Sequence, residues 1–111
     1  METLKQRRDF LKVSASSFKC VTPAFILQAR TFPDNLSKYG LTASKKIVGA
    51  VARNFTKRRL RVLVSKILSE KSHPEVYYVI IARPEILKIN FEQLKLDFEK
   101  AVDFLNHKMN R

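Results

Sequence analysis

The sequence has one cysteine, two glycines, two histidines and no tryptophan in 111 residues. Each scarcity removes a class of function. Cys20 alone cannot close an internal disulfide and reads as an inert thiol in a reducing cytoplasm. Together with His73 and His107 it falls short of a four-ligand zinc site. Two glycines do not make a glycine-rich phosphate loop. No Ser/His/Asp arrangement is suggested, so the chain carries no evident catalytic apparatus of its own. The longest apolar run, Val76 to Ala82, is far shorter than the roughly 20 residues that cross a bilayer. The N-terminus, METLKQRRDFLKV, has basic residues but lacks the apolar core of a secretory signal. With no repeat, linker or low-complexity segment, residues 1–111 read as one domain.

Acid is also scarce. Ten Asp and Glu stand against 22 Lys and Arg, giving a net charge of +12 and a pI near 10.2. An excess this large points to nucleic acid or an anionic membrane, and the short apolar runs disfavour the membrane. The deficit is concentrated, because no Asp or Glu lies between Asp34 and Glu70. Within that gap sits Ala43 to Ser69, ASKKIVGAVARNFTKRRLRVLVSKILS, carrying Lys45, Lys46, Arg53, Lys57, Arg58, Arg59, Arg61 and Lys66.

Most of this stretch has the period of a helix. Ala52, Thr56, Leu60, Leu63 and Ile67 fall on one side at about 100° per residue. Arg53, Lys57 and Arg61 fall on a neighbouring side, with Asn54 and Arg58 beside them. Like charges four residues apart cost an isolated helix roughly 0.2–0.5 kcal/mol per pair. Stacking them without acidic relief implies an anionic partner, and the planar arginine fork matches phosphate oxygens. Lys45 and Lys46 sit where strand gives way to helix. Free backbone N–H groups at such a point favour phosphate, although a solvated loop is the alternative reading.

The ordered run Ser44-Lys45-Lys46, Ala50-Val51, then Arg53-Asn54-x-x-Lys57-Arg58-x-x-Arg61 resembles the signature of the protein subunit of bacterial ribonuclease P. Two departures stand out: Val48-Gly49 where the family usually has Gly-Asn, and Phe55 where it usually repeats Arg. The resemblance implies three helices on a four-stranded sheet, with a left-handed crossover around the basic helix. It implies a ribonucleoprotein that removes the 5′ leader from precursor tRNA. In it an RNA subunit performs the hydrolysis with Mg²⁺, held mainly by RNA and substrate. The protein binds the leader and the catalytic RNA and favours functional Mg²⁺ binding, with no obligate protein partner.

The rest of the chain supplies the scaffold. Residues 4–16 read as a short helix with Leu4, Phe10, Leu11 and Val13 apolar and Lys5, Arg7, Arg8 and Lys12 basic. Phe10 fits either the core or a stacking face. In the family its counterpart lines a cleft for the unpaired leader, where a ring gains about 1–3 kcal/mol per stacked base. The second aromatic often found one turn on is Ser14 here. Residues 18–31 read as extended, with Phe25, Leu27 and Ala29 alternating against Ile26, Gln28 and Arg30. Phe32-Pro33-Asp34-Asn35 is a turn signal. Leu36 to Ser44 reads as a strand, and Val76 to Ala82 as a central strand covered on both faces. His73-Pro74 closes the basic helix. Residues 91–108 form the last helix, with Asn90 as N-cap, Gln93 at capping-box spacing and the stripe Leu94, Phe98, Ala101, Leu105. Glu92, Asp97, Glu99 and Asp103 give that helix four of the ten acids, so the molecule is expected to be polarised in charge.

The order α-β-β-β-α-β-α is α+β, a two-layer sandwich of sheet and helices. The expected RNA-binding residues are Phe10, Lys45, Lys46, Arg53, Asn54, Lys57, Arg58 and Arg61, with Lys12, Gln28 and Arg83 as further candidates. The resemblance implies that Arg53 and Lys57 meet leader phosphates, and that Asn54, Arg58 and Arg61 meet the catalytic RNA. A ribosomal protein or RNA chaperone would use the same basic helix. A DNA-binding domain is disfavoured, because strand rather than helix precedes the motif.

Overall fold

The computed structural model describes residues 1–16 and 18–109. Its strands are β1 (Glu2–Thr3), β2 (Phe18–Val21), β3 (Phe25–Thr31), β4 (Lys38–Ala43) and β5 (Val76–Ala82). Its main helices are α1 (Arg7–Ser16), α2 (Ala50–Leu63) and α3 (Phe91–Lys108). α2 runs on through a π-helical turn, Val64–Leu68, and a final α turn, Ser69–Lys71. A 3₁₀ turn, Pro84–Leu87, leads toward α3.

The strands form one sheet in the order β1-β4-β5-β3-β2. β5 is central, parallel to β4 and antiparallel to β3, as its unbroken apolar run suggests. β4 and β5 are joined by the crossover through α2. The sheet has five strands rather than four, because Glu2–Thr3 adds in parallel to β4 at the edge. Two residues without apolar alternation give no strand signal. The first helix starts at Arg7 rather than at Leu4. Leu4 is buried, and its N–H donates to Tyr39 O at 2.7 Å, so the sheet claims it.

Alternation along the strands decides which helix covers which face. Phe25, Leu27 and Ala29 of β3, with Val76, Tyr78, Ile80 and Ala82 of β5, pack with Leu60 and Leu63 of α2, Ile67 of its π-helical continuation, and Leu94, Phe98 and Leu105 of α3. Burying a leucine or phenylalanine side chain in this way contributes about 1.5–3 kcal/mol each. Tyr77 and Val79 face the other way, against Leu4 and Val13, with Phe10, Phe32 and Ile81 alongside. The two expected layers are thus the sheet and the α2–α3 pair, and α1 partly covers the opposite face.

Local chemistry fixes the joins. Asn90 caps α3 by accepting Gln93 N–H at 2.8 Å. Gly49, at φ 93°, is the N-cap of α2, a conformation that L side chains rarely adopt. The Tyr78 hydroxyl donates to Asn106 Oδ1 at 2.8 Å and accepts His73 N–H at 3.0 Å. Lys71 donates to both Asp103 oxygens at 2.9 and 3.0 Å, and that bonding raises its ammonium above the ordinary lysine range. Burial likewise pushes up the Cys20 thiol, disfavouring the reactive thiolate.

Candidate nucleic-acid interface

The face of the sheet that α1 leaves partly open forms a cleft. Gln28 of β3, Thr42 of β4, and Val79 and Ile81 of β5 form its floor, and Arg7, Phe10, Leu11 and Ser14 of α1 form its wall. These residues surround about 490 Å³. Strand register explains the floor: Gln28 pairs with Val79 and Thr42 with Ile81, so their side chains share one face. Phe10 lies across Gly40. A Cβ on Gly40 would fall 2.6 Å from Phe10 Cζ, so the ring occupies the space that the missing side chain leaves. Gln28 is only 3 % exposed, and its buried Oε1 has no hydrogen-bond partner. The cleft therefore joins an aromatic ring, an amide with unused hydrogen-bonding capacity and a cation.

The cationic helix meets this cleft from the β4 side. Lys57 and Arg61 line a second, smaller cavity together with Phe10, Gly40 and Tyr39. This one-turn pair thus points at the aromatic wall. Asn54 and Arg58 lie on the outer side of α2 with Val51 and Phe55. The cationic face inferred from the helical period is therefore divided between two sides. Arg61 falls with Lys57 on the Phe10 side, as their spacing implies, and apart from Asn54 and Arg58, with which the resemblance assigned it to the catalytic RNA.

Several predicted contacts have structural partners. Arg53 is half-buried, and its Nη1 donates to Ile47 O at 3.1 Å and Ser44 O at 3.3 Å, while Nη2 reaches Ala43 O at 3.5 Å. It braces the loop that presents Lys45 and Lys46, both of which are exposed. Arg83 Nη1 donates to Thr22 O at 2.8 Å, which ties the end of β5 to the β2–β3 turn, away from the cleft. Lys12 is exposed on α1, and its carbonyl accepts from Arg30 Nη1 at 2.9 Å.

Other participants were not singled out by the sequence. Arg7 and Thr42 enter the cleft through the pairing of α1 with a distant strand, which no local pattern encodes. Arg59 looked like one more surface cation. Its Nη1 donates to both Ile86 O and Ile89 O at 2.9 Å, and its guanidinium lies 5.1 Å from the Phe55 ring and 5.6 Å from that of Phe91.

A basic helix beside an aromatic cleft on an open sheet is the arrangement of an RNA-binding α+β domain, with a ring suited to stacking next to cations suited to phosphate. Comparison with known proteins makes the assignment specific. A sequence model of the family described as Ribonuclease P matches residues 1–106. The ribonuclease P protein component of Paramagnetospirillum magneticum is 35% identical over 108 residues, covering 92% of this chain and 80% of that protein. That of Gluconacetobacter diazotrophicus is 40% identical over 100 residues, covering 89% and 86%. The solved ribonuclease P protein of Thermotoga maritima has the same fold, with a TM-score of 0.75 at 23% identity over 96% of this chain and 97% of that one. The chain belongs to the ribonuclease P protein family and so to the endonuclease that processes tRNA 5′ ends together with an RNA subunit. Among the described residues, no helix is long and apolar enough to cross a membrane.

Proposed function

We propose that the cleft between α1 and the sheet holds the single-stranded 5′ leader of precursor tRNA, while the outer side of α2 and the Lys45–Lys46 loop contact the catalytic RNA. The convergence of Phe10, Lys57 and Arg61 on one cavity carries this reading. A flat ring takes an unpaired base whatever its identity, and two cations one helical turn apart follow the adjoining phosphates. Gln28 adds an almost fully buried amide to the floor beside the ring.

Mg²⁺ enters through the RNA. Among the described residues, those lining the cleft and the cavity beside Lys57 include no carboxylate, which favours RNA and substrate oxygens as the ion's ligands. The protein's part is to hold the leader against the catalytic RNA and fix the phosphate oxygens that the ion needs. Such a role places the chain in the cytoplasm, with the catalytic RNA and precursor tRNA as its partners.

The test is precursor-tRNA cleavage by a bacterial catalytic RNA at low Mg²⁺, with and without the chain. Strong stimulation with a correct 5′ end is expected, and Phe10→Ala should weaken precursor-tRNA binding more than mature-tRNA binding. Equal loss for both substrates would take the leader out of the cleft.

A further inference from the structure

The outer side of α2 carries an apolar ledge in the midst of the acid-free stretch. Val51 is 85 % exposed, Val48 81 %, Leu87 41 % and Phe55 36 %, and with Asn54 and Arg58 they line one open groove. Exposed apolar groups gathered this way mark a contact surface rather than chance exposure. The ledge is also held in place. Arg59 covers one side of the Phe55 ring at 5.1 Å and is fixed by the carbonyls of Ile86 and Ile89, the segment that carries Leu87. The ring is therefore oriented before any partner arrives, which lowers the entropy cost of docking. None of the groove's lining residues is acidic, Arg58 stands at its rim, and none of the described contacts pairs either Arg58 or Asn54.

We propose that this ledge receives an unstacked nucleobase of the catalytic RNA, packed on Phe55, Val51 and Leu87, with the adjoining phosphate on Arg58. The occupant is RNA rather than a protein because the one charge among the groove's lining residues is the unpaired Arg58 guanidinium and the molecule carries +12. Asn54 supplies an amide to the base edge, and Phe55 supplies the face. This site is separate from the leader cleft, since Phe10, Lys57 and Arg61 lie on the other side of α2. The inference rests on the reading that the outer side of α2 meets the catalytic RNA.

The test measures binding of the full chain to a bacterial ribonuclease P RNA across a salt series. Val51→Ser changes a residue that folding does not need, and Phe55→Leu keeps apolar volume but removes the aromatic face. Thermal melts monitor the fold of both. Each should weaken binding, the Phe55 variant by roughly ten-fold, with the slope of log K against log salt unchanged. Arg58→Ala should lower that slope by about 1. A photo-crosslinking residue at position 51 should attach to the RNA. Wild-type affinity in both ledge variants, with Arg58→Ala and Lys45→Ala still weakened, would overturn the ledge and leave the RNA-facing side intact. If none of the four variants loses affinity, the reading of that side fails as well.

Discussion

Two residues in the cleft make opposite demands on folding and binding. Gln28 has an oxygen buried without a partner, an arrangement that costs about 1–3 kcal/mol. Gln28→Leu should therefore raise stability by about 1 kcal/mol, or roughly 4–8 °C in melting temperature, while lowering affinity for precursor relative to mature tRNA. A fall in melting temperature would show the amide to be satisfied in the free protein. Gly40→Ala works the other way. Its methyl group would collide with Phe10, and such overpacking costs about 1–3 kcal/mol. The loss should shrink when Phe10→Ala is added, because the two changes share one space. Additive losses in a double-mutant cycle would mean that the ring moves aside freely.

At the scale of elements, the loop between β4 and α2 depends on a helix residue that follows it. Arg53→Ala removes three carbonyl contacts and should cost about 1–2 kcal/mol in urea unfolding. RNA affinity should fall with little change in salt slope, because the guanidinium acts on the loop. A slope reduced by about 1 would instead assign Arg53 to a phosphate. This is also where the limits of sequence reading show. Apolar runs and periods identified α2, β3, β5 and α3, because packing against one face writes a period into the chain. Charge spacing marked the basic helix as the expected binding element. Nothing local distinguishes an arginine that meets phosphate from one that meets a carbonyl. Arg53 and Arg83 therefore read as RNA-binding candidates and Arg59 as one more cation of the run, and only tertiary contacts reveal the carbonyls that each one meets. β1 was illegible for the same reason: Glu2–Thr3 is a strand only because β4 lies beside it.

At the scale of the whole molecule, the acids of the last helix stand apart from the cleft. α3, with Glu92, Asp97, Glu99 and Asp103, packs on the face of the sheet opposite the cleft. The cleft and the Lys45–Lys46 loop are thereby left free of acids from that helix. Replacing Lys45 and Lys46 together by alanine should reduce the salt slope of RNA binding by about 2, near one unit per phosphate lost. An unchanged slope would leave both lysines in solvent. The central position of β5 has a further consequence, for biosynthesis. β3 and β4 do not pair with each other, and each pairs with β5. Until residues 76–82 leave the ribosome, the sheet exists only as two unconnected pieces, β1–β4 and β2–β3. The cleft floor draws on β3, β4 and β5 together, so a nascent chain lacks the surface proposed to hold the leader. The proposed leader site is completed only by the last strand to be synthesised.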